Sequence, residues 1–154
     1  FDRLLYLGID GGADARLRVL EAVTRQFDLS LDVDLEGVAA QIPKTFTGAD
    51  TSAVASEALS RALRRRISEL ERELTAANAG GEKPGEAGAA GGAGGRLTMD
   101  QLLANYEEEN PAQLRACVSM DDLLEATGSI LPSVSSKELA HYEQLRLRFC
   151  STAH

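Results

Sequence analysis

Thr47, Gly48, Ala49 and Asp50 stand together in KTFTGADTSAVASEALSRAL, Lys44 to Leu63, and their types describe a helix start that can be approached closely. Thr47 is a good N-cap, and Asp50 three residues on can close a capping box while complementing the positive end of the helix dipole. That chemistry needs neither Gly48 nor Ala49. Glycine at the first helical position gives up stability relative to a better helix former. A first turn almost free of side chains therefore points to something that must come near the backbone. Easing of tight packing is the other reason for a glycine there, and the stretch alone leaves both open.

Other chemistry-bearing residues make poorer sites. His141 and His154 are the only histidines, and neither has a Cys, His or carboxylate at metal-ligand spacing. His141 sits beside the apolar stripe of a helix and reads as a surface or packing residue. Glu107 to Asn110, EEEN, reads as a solvated turn before Pro111. The glycine-rich stretch AGGEKPGEAGAAGGAGG has no GxxxxGK[ST] pattern and no strand leading into it, so it is not a phosphate-cradling loop. There is no nucleophile elbow, no CxxC and no convincing acid/base carboxylate pair. Taken alone, the chain is expected to catalyse nothing.

The net charge of −8 over 154 residues argues against nucleic acid or an anionic membrane as the main partner. Cys117 and Cys150 are isolated and suit a reducing compartment. No apolar run reaches membrane-spanning length, and no signal-peptide pattern opens the chain. With no Trp, the core must rest on Leu, Val, Ile and Ala. The chain starts at Phe1, in what reads as the middle of a fold, and is expected to be a soluble, intracellular fragment.

The elements that would position the Thr47–Asp50 start follow from periodicity. RLLYLGI, Arg3 to Ile9, is a short apolar run that reads as a buried strand without a partner. GADARLRVLEAVTRQF places Leu17, Leu20, Val23 and Phe27 on one helical face, with Arg16, Arg18 and Arg25 largely outside it. DVDLEGVAAQI predicts a short helix capped by Asp34, with Leu35, Val38, Ala39 and Ile42 inward and Pro43 limiting it. A long helix is predicted from Gly48 to Ala77, with a stripe of Ala55, Leu59, Leu63, Ile67, Leu70 and Leu74 and an Arg65–Glu69 pair outside it. Arg64, Arg65 and Arg66 precede three glutamates and read as a solvated face of mixed charge. Residues 79–95 hold eight Gly and five Ala, too little side chain to offset ordering entropy, so a flexible linker is predicted there. Beyond it, Thr98 with Gln101 and Ser135 with Glu138 form capping-box patterns, and Ser119 caps SMDDLLEATGSI, which should stop near Gly128.

Four pieces in order, FDRLLYLGI, ARLRVLEAVTRQFDLSLDVDLEGVA, FTGADTSAVASEAL and SMDDLLEATGSILPSVSSKELAHYEQLRLRF, resemble the C-terminal end of a classical-clade AAA+ ATPase domain. Within that clade LLYLGI, Val23 to Phe27 and LPSVSSKELAHYEQLR are most similar to the second ATPase domain of peroxisome biogenesis ATPases of the peroxin-six type. The resemblance implies a mainly α fold, an AAA+ helical lid bundle preceded by one orphan strand of the large α/β subdomain. The strand would take residues 1–10, the first part of the lid 11–78, the linker 79–96, the C-terminal part of the lid 97–150 and a tail 151–154.

The resemblance further implies that Gly48 and Ala49 lie against the ribose and adenine of bound ATP. Val23 stands where many relatives carry a polar residue near the adenine edge, so its contact would be apolar. The Walker A lysine, the Walker B carboxylates that serve Mg, the arginine fingers and the pore loop would all precede Phe1. The parent would sit peripherally between cytosol and peroxisomal membrane, held by a membrane anchor protein. It would form a heterohexameric ring with peroxin-one-type subunits and use ATP to pull the ubiquitinated import receptor out of the membrane. The lid of a sister ATPase of the segregase type, and a free-standing helical interaction module, are the competing expectations. Without the large subdomain the isolated piece is expected to be marginal and prone to aggregate.

Overall fold

The computed structural model describes residues 12–79, 96–109 and 111–150. The strand expected at 1–10, nearly all of the linker and the tail at 151–154 lie outside the described residues. The rest is mainly α, as expected: α1 (Ala13–Thr24), α2 (Leu35–Gln41), α3 (Gly48–Ala79), α4 (Met99–Glu109), α5 (Met120–Ser129) and α6 (Ser136–Cys150). A single 3-10 turn, Pro111–Leu114, follows α4.

The periodic residues of α1 and α2 face one another. Leu20, Val38, Ala39 and Ile42 are buried, and Leu17, Val23 and Phe27 are half-buried. Thr24 closes α1, its hydroxyl donating to Leu20 O at 2.7 Å, and Phe27 N turns back to Thr24 O. Asp34 caps α2 as its type predicts, accepting from Glu36 N at 3.1 Å. A Cβ on Gly37 would stand 2.6 Å from Asp34 Oδ2, so any larger residue there would push the capping carboxylate aside. Ile42 leaves the helix in an extended conformation, the geometry favoured before Pro43.

Arg16, expected largely outside the apolar face of its helix, departs from Arg18 and Arg25. It is buried on α1, and its Nε donates to Ala39 O at 3.0 Å, which joins α1 to the end of α2. The long aliphatic stem lies with the core while the head finds a carbonyl, a compromise that a count of apolar spacings cannot register.

Along α3 the buried stripe is Val54, Ala55, Ala58, Ala62 and Leu70, whereas Leu63 and Ile67 are 46% and 53% exposed. Two of the six residues of the predicted stripe are therefore displaced, while Ala55 and Leu70 are buried and Leu59 and Leu74 half-buried. Small side chains win the inner face because α3 packs on both α1 and α5, and alanines let the helices approach. The core continues beyond residues 80–95, with Val118, Leu123 and Ala126 joining Leu20, Val38 and Val54 in one cluster.

A parallel pair of two-residue strands, β1 (Asp28–Leu29) and β2 (Cys117–Val118), was not anticipated. Asp28 stands opposite Cys117 and Leu29 opposite Val118, and Ser30 N extends the pairing to Val118 O at 2.9 Å. Two residues are too few to leave an alternation in the sequence.

Candidate functional site

The start of α3 is held by the box that its residues predict. Thr47 N donates to Asp50 Oδ2 at 2.8 Å, Thr47 Oγ1 to the same oxygen at 3.0 Å, and Asp50 N returns to Thr47 Oγ1 at 3.2 Å. Gly48 and Ala49, between them, are exposed. A Cβ placed on Gly48 would meet nothing within 4 Å, so packing among the described residues does not require glycine at that position. The first amides of a helix have no intrahelical acceptor, so this turn presents backbone donors and little side chain. Val23, the third residue drawn toward a nucleotide by resemblance, is half-buried one residue before the end of α1, a helix that packs on α3.

Asp50 does more than its local pattern indicates. It is buried, and a segment 83 residues away in sequence reaches it: Ser133 N donates to Oδ2 at 3.2 Å, and Ser133 Oγ donates to Oδ1. Burial by itself would raise the Asp50 carboxyl, but the bonds from Ser133 and Thr47 outweigh it and hold the group below its ordinary value. Sequence reasoning passes over Ser133, because a serine in LPSVSSKE looks like any solvated residue ahead of a helix cap.

A second carboxylate is recruited in the same way. Asp122 completes the Ser119 capping box of α5, with Ser119 N at 2.9 Å from Oδ2 and Asp122 N at 3.4 Å from Ser119 Oγ. Arg65 Nη1 then donates to both of its oxygens, at 2.6 and 2.7 Å, while Nη2 donates to Cys117 O at 2.7 Å. Burial pushes Asp122 up, yet the Arg65 and Ser119 bonds prevail and lower it.

The arginine run is thus a clamp, which corrects two expectations: Arg65 pairs with Asp122 and not with Glu69, and the face is not simply solvated. Arg61 pairs with Glu125, and Arg66 donates to Gln113 O at 2.9 Å and lies 5.6 Å from the Tyr106 ring. Tyr106 donates in turn to Glu73 at 2.6 Å. Together these contacts tie residues on both sides of the glycine-rich stretch into one body. At the flanks of that stretch Asn78 bonds both Leu97 backbone groups, donating to O at 3.0 Å and accepting from N at 2.7 Å.

Among the described residues no cluster of three or more His, Cys, Asp or Glu side chains could hold a metal ion. No helix among them is long and apolar enough to cross a membrane.

No family model matches the chain. Over 97% of its length it is 34% identical to a Neurospora crassa protein named Peroxisomal ATPase PEX6, 35% identical to the Arabidopsis thaliana protein of that name and 36% to the Saccharomyces cerevisiae one. It spans 10%, 12% and 13% of the lengths of these three relatives. The resemblance to ATPases of the peroxin-six type, read from four sequence pieces, is borne out by these similarities.

Proposed function

We propose that the chain is the nucleotide-facing helical lid of a peroxisome biogenesis ATPase. The observation that carries this reading is the similarity of 97% of the chain to proteins named as peroxisomal ATPases. The start of α3 fits such a role, because Gly48 and Ala49 are exposed and the space at Gly48 is open, so a flat base and its ribose can reach the backbone. Bound ATP would supply the phosphoanhydride bond to be cleaved, with Mg held by residues outside this chain.

The chain's own residues bind and orient. Thr47 and Asp50 fix the direction of the first turn, Gly48 and Ala49 leave room for the base, and Val23 on α1 offers an apolar side. Catalytic groups are assigned to a part of the protein other than this chain. In the assembled protein the lid would close over nucleotide and pack against a neighbouring subunit of a heterohexameric ring with peroxin-one-type partners. The work done would be extraction of the import receptor from the peroxisomal membrane, with the ATPase peripheral to it.

The test is nucleotide binding by the full-length ATPase carrying Gly48→Leu, beside Gly48→Ala. The leucine variant should weaken ADP binding about tenfold or more, a loss of about 1.4 kcal/mol, while remaining folded. Unchanged ADP affinity in both Gly48→Leu and Ala49→Leu would refute the contact. For the cellular role, loss of the protein should leave import receptor accumulated on peroxisomal membranes. A full-length protein with no peroxisome-associated pool would instead favour a segregase-type relative.

A further inference from the structure

Two helix caps are connected in series between the open turn of α3 and the start of α6. The first is the Thr47–Asp50 box, whose carboxylate lies one residue beyond Ala49. The second is the Ser135–Glu138 box that opens α6, with Ser135 N 2.9 Å from Glu138 Oε2 and Glu138 N 3.3 Å from Ser135 Oγ. Ser133 joins them. It gives both its hydroxyl and its N–H to the buried Asp50, and only Val134 separates it from the cap of α6. Asp50 therefore takes four hydrogen bonds, two from its own helix start and two from the α5–α6 connector.

We propose that the Asp50–Ser133 pair is a coupling strap: it makes the shape of the α3 first turn and the seating of the α5–α6 connector a single two-state element. With the strap made, the Gly48–Ala49 turn and the first turn of α6 are held together. With it broken, each relaxes separately. Asp50 and Ser133 are positioning residues, since neither needs to touch a ligand. The nucleotide part of the idea rests on the functional reading above: a ligand that prefers the ordered α3 turn must favour a seated α6, and by linkage a seated α6 must favour that ligand to the same extent.

This differs from two independent caps in one respect that can be measured. Damage to one end should loosen the other. In amide hydrogen exchange on the full-length ATPase, Ser133→Ala should speed exchange at Asp50 and Thr51 roughly tenfold, besides loosening the connector itself. Thr47→Ala should do the reverse, speeding exchange across residues 131–139. Ser133→Thr, which keeps the hydroxyl, should restore the original rates. Changes confined to the mutated end in both variants would overturn the proposal, as would failure of Ser133→Thr to rescue.

ADP added to the full-length ATPase gives the second arm. Protection at residues 47–51 should be accompanied by protection at 131–139, and the latter should vanish in Ser133→Ala while the former survives. If ADP protects both segments equally in wild type and Ser133→Ala, the strap is wrong. If ADP protects neither segment, the nucleotide reading fails, and the strap stands or falls on the reciprocal exchange alone.

Discussion

Arg65 and Asp122, 57 residues apart in the chain, are joined by two charge-assisted bonds of 2.6 and 2.7 Å, and the same guanidinium holds Cys117 O. The carboxylate is 9% exposed and already spends one oxygen on the Ser119 cap, so a single side chain from α3 secures both β2 and the start of α5. The arginine is 41% exposed, and solvent screens the pair accordingly.

Loss of that clamp should therefore cost less than loss of a fully buried ion pair. Arg65→Met is expected to destabilise the chain by about 1–2 kcal/mol, the scale of a hydrogen-bonded, partly screened charge pair. Urea unfolding measures it. A double-mutant cycle with Asp122→Asn should show that most of the loss is shared between the two residues. Additive effects would mean that Arg65 acts through Cys117 O instead.

Acid should weaken the protein through Asp50 and Asp122 in particular. Both carboxyls are held below the ordinary value of 3.8 in the folded chain. A group with a depressed folded pKa binds its proton more readily when unfolded, so its stabilisation is complete above 3.8 and drains away as pH falls through the lower folded value. Melting temperature followed from pH 6 downward should fall in that range. Asp50→Asn and Asp122→Asn should each flatten the fall while lowering stability at neutral pH. A pH profile identical to wild type in both variants would show that other carboxyls govern it.

Asn78 should matter more than the whole stretch it closes. Its side chain bonds both backbone groups of Leu97, so the chain ends on either side of residues 80–95 are already held together. Closing a loop grows costly only slowly with length, about 0.6 kcal/mol per doubling. Replacing residues 80–95 with an eight-residue Gly-Ser link should leave the unfolding midpoint almost unchanged. Asn78→Ala should lower stability by about 1 kcal/mol. The opposite ranking in chemical unfolding would contradict this account.

Gly48→Ala should stabilise the chain, since a Cβ there meets no neighbour and alanine is the better helix former. The gain should be about 0.5 kcal/mol, partly through the unfolded state. A loss of stability on calorimetry would mean that the glycine serves packing after all. A gain would mean that its presence is a cost the fold carries for some other purpose.

Much of the architecture is legible in the chain itself. Thr47 with Asp50, Thr98 with Gln101, Ser119 and Ser135 with Glu138 each mark a helix start where the structure has one, because a capping box is complete within four residues. Leu20, Val38 and Ile42 are inward as their spacing requires. The exposed Gly48–Ala49 turn is also local, since an absent side chain is visible without knowing what surrounds it.

The partners of these residues were settled only by folding. A carboxylate has more lone pairs than its own cap consumes, and nothing nearby in sequence says which distant donor takes the remainder. Asp50 found Ser133, and Asp122 found Arg65. The inner face of α3 was decided in the same way: Ala58 and Ala62 entered the core, and Leu63 and Ile67 stayed out, because α1 and α5 both press on that helix. Helical periodicity fixes which residues share a face, while the choice between neighbouring faces belongs to whatever packs against them.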